Sequence, residues 1–159
     1  MKYSTAAIIF IGNRYMFQKR DNKKEIFYPG FYGLFGGENN KNEKPIDCIK
    51  RELSEEININ FKNINYFMTL HLKSKIFDKK KSSIFERHFF ICNLPKNYKK
   101  ELKILEGKGY VLESINKIKK NNTIPFDSAI TEFYHLLRNK KKIIPKKFFM
   151  DKFTDFLRF

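Results

Sequence analysis

The residues with the most chemical potential lie between Gly37 and Ile59, where Glu43, Arg51, Glu52, Glu55 and Glu56 crowd into the segment GENNKNEKPIDCIKRELSEEINI. Pro45 can open a helix there, because the first helical N–H has no intrahelical partner and its absence costs nothing. Ile46, Ile49, Leu53 and Ile57 then recur at helical intervals and form a buried stripe. Glu52, Glu55 and Glu56 share a different face. Carboxylates at i, i+3 and i+4 repel by about 0.2–0.5 kcal/mol per pair even on an exposed helix, so a compensating positive charge is expected. A hard divalent cation, which takes oxygen ligands, is the natural candidate.

This order of residues resembles the box of the Nudix hydrolases: Gly, five residues, Glu, seven residues, then Arg-Glu-apolar-any-Glu-Glu-any-Gly-apolar. The chain matches it at Gly37, Glu43, Arg51, Glu52, Leu53, Glu55, Glu56 and Ile59. One position departs, Asn58 standing where the box has Gly. Asn is the commonest non-Gly residue to accept a left-handed backbone, so Asn58 is expected to stop the helix in that conformation. Two outer segments, Pro29 to Gly37 and Glu106-Gly107, also look like parts of a subgroup acting on nucleotide-linked compounds.

The resemblance implies an α/β/α sandwich with a mixed β-sheet and a Mg²⁺- or Mn²⁺-dependent diphosphohydrolase. Glu52, Glu55 and Glu56 would hold the metal with the backbone carbonyl of Gly36. The general base would be Glu52 or a carboxylate outside the box, Glu86 or Glu106. Arg51 and Glu43 would brace the loop against the helix by a charge-assisted hydrogen bond. The implied substrate is a nucleoside diphosphate linked to another moiety. An RNA 5′-end or cap pyrophosphohydrolase is the alternative that the positive charge favours. A non-catalytic nucleotide-binding protein is another, although all three box carboxylates are present.

The elements that must position these residues follow from the pattern around them. Tyr3 to Ile11 is apolar enough for a strand, Gly12-Asn13 reads as a hairpin turn, and Tyr15 to Lys19 returns. A polar loop and the glycine-rich run ending at Gly37 lead into the box helix. Phe61 to Leu72 and Ser83 to Leu94 read as long antiparallel strands joined by the Lys-rich stretch 73–81, expected to be mobile. Glu101 to Val111 reads as a strand or turn, Leu112 to Lys119 as a short helix, and Phe126 to Arg138 as a longer one. These pieces form one α/β domain over residues 1–139. Substrate preference is expected in the loops at 21–32, 73–83 and 121–127. Phe27, Tyr28, Phe31 and Tyr32 precede the glycine turn and are candidates for stacking on a nucleobase, with core packing the competing role.

Composition narrows the rest. The chain has 159 residues, 18 of them Phe, enough for one domain with an aromatic core. Its longest apolar run near the N-terminus, Ala6 to Ile11, is too short for a membrane span or a signal segment, which favours the cytoplasm. Cys48 and Cys92 fit no motif and are expected as reduced, buried thiols. His71, His88 and His135 form no metal pattern and read as surface residues. The formal charge of +16 is spread along the chain and would speed encounter with any phosphate compound. The basic, aromatic segment 140–159 is expected to pack on the domain or across a homodimer. Contact with RNA or with an anionic membrane surface are its competing roles.

Overall fold

The computed structural model describes residues 2–23, 26, 28–74 and 83–140. The expectations for Phe27, for most of the Lys-rich loop and for 141–159 lie outside them. Strands β1 (Ser4–Ile11) and β2 (Arg14–Lys19) form a hairpin whose turn needs Gly12 at a φ of +55°. A two-residue strand β3 (Tyr32–Gly33) pairs with the end of β2. Helix α1 (Pro45–Glu56) follows with Pro45 in its first turn, and the hairpin of β4 (Ile64–Ser74) and β5 (Ser83–Asn93) comes next. The chain closes with α2 (Tyr98–Glu101), β6 (Tyr110–Ser114), α3 (Ile115–Ile118) and α4 (Pro125–Lys140).

The sheet runs β3-β2-β1-β5-β4, with β6 also paired to β2. Only β1 with β5 is parallel among these pairs, so the sheet is mixed, as expected. Alternation along the strands sends side chains to two cores. Ala7, Ile9, Met16, Phe90 and Cys92 pack with Ile49, Leu53 and Ile57 on the α1 side. Ala6, Ile8, Tyr15, Phe17 and Phe89 pack with Ile115 and Ile118 of α3 and with Ile130 and Tyr134 of α4. The result is an α/β/α sandwich around a sheet covered on both faces.

The structure corrects four local expectations. The strand expected from Phe61 starts at Ile64, because Phe61 is used as a core side chain ahead of the ladder. The segment 112–119 is not one helix: residues 110–114 complete a ladder along β2, which leaves only Ile115–Ile118 helical. Within 101–111, Glu101 ends the short α2, and Ile104 forms an isolated bridge to Ile57. Asn58 is not left-handed either, since among the described residues Tyr28 and Asn42 are the non-Gly residues with positive φ. The chain leaves α1 through an extended Ile57, whose N–H still reaches the Leu53 carbonyl. Asn58 then pairs with Lys103: its N–H donates to the Lys103 carbonyl and its Oδ1 accepts from the Lys103 N–H, both at 3.1 Å. Side-chain and backbone pairing thus take the place of a glycine stop.

Candidate active site

Two backbone hydrogen bonds from β1 fix the glycine run against α1: Ala7 N–H to the Phe35 carbonyl and Thr5 N–H to the Gly37 carbonyl, both 2.8 Å. Between them Gly36 adopts a φ of +129°, and a methyl group there would lie 2.4 Å from the Thr5 carbonyl oxygen. Only glycine fits this close approach. It frees the Gly36 N–H to donate to Glu56 Oε2 at 2.7 Å. Beside it, a methyl group on Gly37 would lie 2.4 Å from Glu52 Oε2. The two glycines therefore let the backbone lie directly on the carboxylates of Glu56 and Glu52, one helical turn apart.

Those carboxylates sit in an acidic, poorly solvated place. Glu56 is 7 % exposed. Burial, reinforced by the charges of Glu52 and Glu106, pushes its carboxyl up to about 8, against the Gly36 N–H and the Gln18 amide, which favour the charged form. Glu52 is also raised, first by burial, while Arg51 opposes the shift and Glu55 and Glu106 add to it. Glu106 itself is exposed on the turn before Gly107.

Arg51 organises the other side of the cluster. Its Nε and Nη2 donate to the two oxygens of Glu43 at 2.9 and 3.0 Å, and Nη1 reaches Glu52 Oε1 at 2.6 Å and Glu55 Oε2 at 3.0 Å. Nη2 also donates to the Glu38 carbonyl. The fork holds Glu43 down at about 2 and keeps the guanidinium charged. Glu43 Oε2 in turn accepts the Asn40 N–H, and Tyr3 Oη donates to the Glu43 carbonyl, so the box loop is tied to both α1 and the start of β1.

The box carboxylates do not share one environment. Glu55 is 52 % exposed and turns to Arg51, whereas Glu52 and Glu56 face the glycines. Among the described residues, no three His, Cys, Asp or Glu side chains stand as a ready metal shell. Glu52 and Glu56 nevertheless fit a hard divalent cation: both are oxygen donors, both are raised first by burial and then by neighbouring carboxylates, and Gly37 leaves Glu52 open from the side.

The two carboxylates outside the box part company. The charge of Glu106 acts on both Glu52 and Glu56. Glu86 lies on the α1 face of β5 but is engaged elsewhere: His88 Nε2 is 2.8 Å from Glu86 Oε1, and His71 Nδ1 is 3.9 Å from Oε2. Glu86 is thus not an exposed strand residue, its side chain being 15 % exposed, and among the described residues its ion-pair partners are these two histidines. His88 corrects the surface reading of the histidines, for its side chain is 12 % exposed, its Nδ1 is 2.7 Å from Thr69 Oγ1 and its ring meets Tyr3 edge-on. His135 Nδ1 is 2.9 Å from Tyr15 Oη, and His71 remains exposed. Cys48 and Cys92 are free and buried.

Of the aromatic candidates, Tyr32 packs against the α4-side core, while Tyr28 and Phe31 lean on one another with ring centres 5.1 Å apart. Phe31 also borders a cavity beside Lys19 and Lys108. Gln18 is a site neighbour that motif reading did not find. It is 4 % exposed, its amide favours the charged form of Glu56, and its Nε2 donates to the Glu106 carbonyl at 3.0 Å. Its signal lay in the pleat: Gln18 shares the inward face of β2 with Met16, and a polar side chain there needs a partner.

Comparison with known proteins bears on this geometry. The family model described as NUDIX domain matches residues 1–138. No curated protein sequence matches the chain. Among solved structures, the MutT NUDIX hydrolase from Burkholderia pseudomallei is similar with a TM-score of 0.65 at 14 % identity, over 82 % of this chain and 95 % of that one. The dihydroneopterin triphosphate pyrophosphohydrolase of E. coli gives 0.67 at 14 % identity, over 84 % and 94 %. The NUDIX domain of Shewanella oneidensis NrtR, solved with ADP ribose, gives 0.65 at 14 % identity, over 82 % and 83 %. At such identities the likeness is one of fold.

Proposed function

Because the chain belongs to the Nudix family, we propose that it hydrolyses the diphosphate bond of a nucleoside diphosphate linked to a further moiety, with Mg²⁺ or Mn²⁺ as cofactor. The observation that carries this reading is the pair of buried Glu56 and partly buried Glu52, set against a side-chain-free backbone at Gly36 and Gly37. In this reading Glu56, Glu52 and the Gly36 carbonyl hold the cation, with Glu55 at its exposed edge. When bound, the cation neutralises charge on the phosphoryl oxygens and on the departing phosphate.

The chain's own residues supply the rest. Glu52 is the first candidate to take a proton from the attacking water, because it stands beside Glu56 against the side-chain-free backbone of Gly37. Oxygen of that water bonds to phosphorus, the bridging P–O bond breaks, and the two phosphate-ended products leave. Glu106, whose field reaches Glu52 and Glu56, is the second candidate for the base. Glu86 is third, because His88 already holds its carboxylate. Arg51 and Glu43 act by position, setting Glu52 and the loop that carries Gly37.

The test is release of phosphate or nucleotide from a panel of NDP-sugars, dinucleoside polyphosphates, ADP-ribose, dNTPs and capped RNA, run with Mg²⁺ and with EDTA. Metal-dependent turnover of one class, lost in Glu56→Gln, is expected. A wild type that binds Mg²⁺ yet turns over nothing would favour a non-catalytic nucleotide-binding role.

A further inference from the structure

The α1 face of β5 changes character along its length. Cys92 and Phe90 enter the core, and the next two residues on the same face, His88 and Glu86, are polar yet largely enclosed. Polar groups in such a place need partners, and the imidazole has one at each nitrogen. Nε2 lies 2.8 Å from Glu86 Oε1, Nδ1 lies 2.7 Å from Thr69 Oγ1, and Thr69 Oγ1 lies 2.8 Å from Tyr66 Oη. With the proton on Nε2, facing the carboxylate, Nδ1 accepts from the Thr69 hydroxyl, which accepts in turn from Tyr66. Burial lowers the pKa of His88 against the pull of Glu86 and so favours this neutral form. The ring is fixed from both ends.

What the fixed ring meets is Tyr3, edge-on, with ring centres 4.9 Å apart. The parallel ladder that sets Thr5 beside His88 brings the two together. Tyr3 is where the box loop is anchored. Its N–H donates to Asn39 Oδ1 at 2.8 Å, its carbonyl accepts the Asn39 N–H at 3.1 Å, and its hydroxyl donates to the Glu43 carbonyl. Burial first, and then acidic neighbours that include Glu43 and Glu86, push the phenol pKa up, so the hydroxyl keeps the proton it donates. Glu43 holds Arg51, and Arg51 holds Glu52. A continuous run of contacts therefore leads from Glu86 through His88, Tyr3, Glu43 and Arg51 to Glu52.

We propose that His88 and Glu86 are positioning residues of the hydrolytic site, acting through Tyr3 on the loop that carries Glu43. The assignment rests on the hydrolase reading above, and it makes Glu86 part of the frame rather than a base. An imidazole held at both nitrogens supplies direction, which an apolar side chain of similar size does not. Its edge-on contact sets the tilt of the Tyr3 ring, and the tilt sets where the hydroxyl meets the Glu43 carbonyl.

The experiment compares His88→Ala, Tyr3→Phe, their double variant and Glu86→Gln with wild type, all as the full chain. Solvent exchange of the Arg51 Nε–H, followed by ¹⁵N NMR without metal or substrate, reads the brace directly. The Arg87 Nε–H, on the same strand beside the Asp127 carboxylate, reports any general loosening of β5. Steady-state kcat and KM are measured with Mg²⁺ on the compound that the wild type turns over. In His88→Ala the Arg51 exchange is expected to rise about tenfold with Arg87 unmoved, and kcat to fall about tenfold with KM unchanged, less than the roughly 10²-fold effect of displacing a catalytic group itself. Tyr3→Phe removes the link, so adding His88→Ala to it should change neither readout further. An unmoved Arg51 signal, Arg51 and Arg87 moving alike, an unchanged kcat, or additive losses in the double variant would each overturn the proposal. Loss of turnover in Glu86→Gln with Arg51 unmoved would overturn it too, and make Glu86 the base. The Arg51 response without turnover of any compound by wild type would keep the contact run and overturn the hydrolase reading.

Discussion

At the scale of single residues, the site concentrates on two side chains that the fold treats oppositely. Arg51 is satisfied in every direction, with Glu43, Glu52, Glu55 and the Glu38 carbonyl around one planar fork. A lysine is a point charge and cannot reproduce that geometry. Arg51→Lys is expected to lower kcat on the order of 10²-fold with little change in KM, because a displacement of about 1 Å in catalytic groups has that effect. Steady-state kinetics on whichever substrate the panel identifies decides it, and a pure KM effect would assign Arg51 to substrate instead. Glu56 has the reverse problem, a buried carboxyl pushed up to about 8. Between the ordinary carboxyl range and that value the folded chain keeps a proton that the unfolded chain releases. Its stabilising share is therefore complete below about pH 4.5 and is lost as pH rises toward about 8. Metal-free protein is expected to lose on the order of 5 kcal/mol over that window, and Glu56→Gln to flatten the loss. Urea unfolding in EDTA across the window checks it; equal slopes in both proteins would contradict the assignment.

At the scale of elements, the glycine run and α1 work as one device. Alanine at Gly36 must push against the Thr5 carbonyl at a φ that L-residues rarely adopt, so Gly36→Ala is expected to destabilise the fold by about 2–4 kcal/mol. Alanine at Gly37 meets only the movable end of Glu52. Gly37→Ala should keep most of its stability and lose most of its turnover. Melting temperature and kcat measured side by side separate the two, and matching losses in both variants would sink the distinction. The helix was legible in sequence because Pro45 and the stripe Ile49, Leu53 and Ile57 dictate it locally. The ends of β4 and β6 were not, because residues such as Phe61, Leu112 and Ser114 choose between core, ladder and helix only when β2 and β5 lie beside them.

At the scale of the molecule, the opposite face of the sheet also holds the glycine run in place. Asp127, fully buried near the start of α4, accepts the Leu34 N–H at 2.8 Å and lies 3.0 Å from Arg87 of β5. One carboxylate thus joins α4, the sheet and the segment leading to Gly36. Removing it leaves the Arg87 charge without its partner and the Leu34 N–H without its acceptor. Asp127→Ala is expected to cost about 3–5 kcal/mol, measured by urea unfolding. A loss below about 1 kcal/mol would show that neither group needs it.

The sequence by itself determined the fold class, the family resemblance, the helix with its carboxylates and the glycines before it, because each depends on spacing along one local segment. Tertiary structure decided what spacing cannot carry. It separated Glu55 from Glu52 and Glu56, set Glu86 with His88 rather than with the box, and made Asn58 pair with Lys103 instead of turning left-handed. It also raised Glu56 and gathered Lys19, Arg20 and Lys108 around one cavity. Burial, electrostatic fields and cavities arise between segments far apart in the chain, so they exist only once the sheet has brought those segments together.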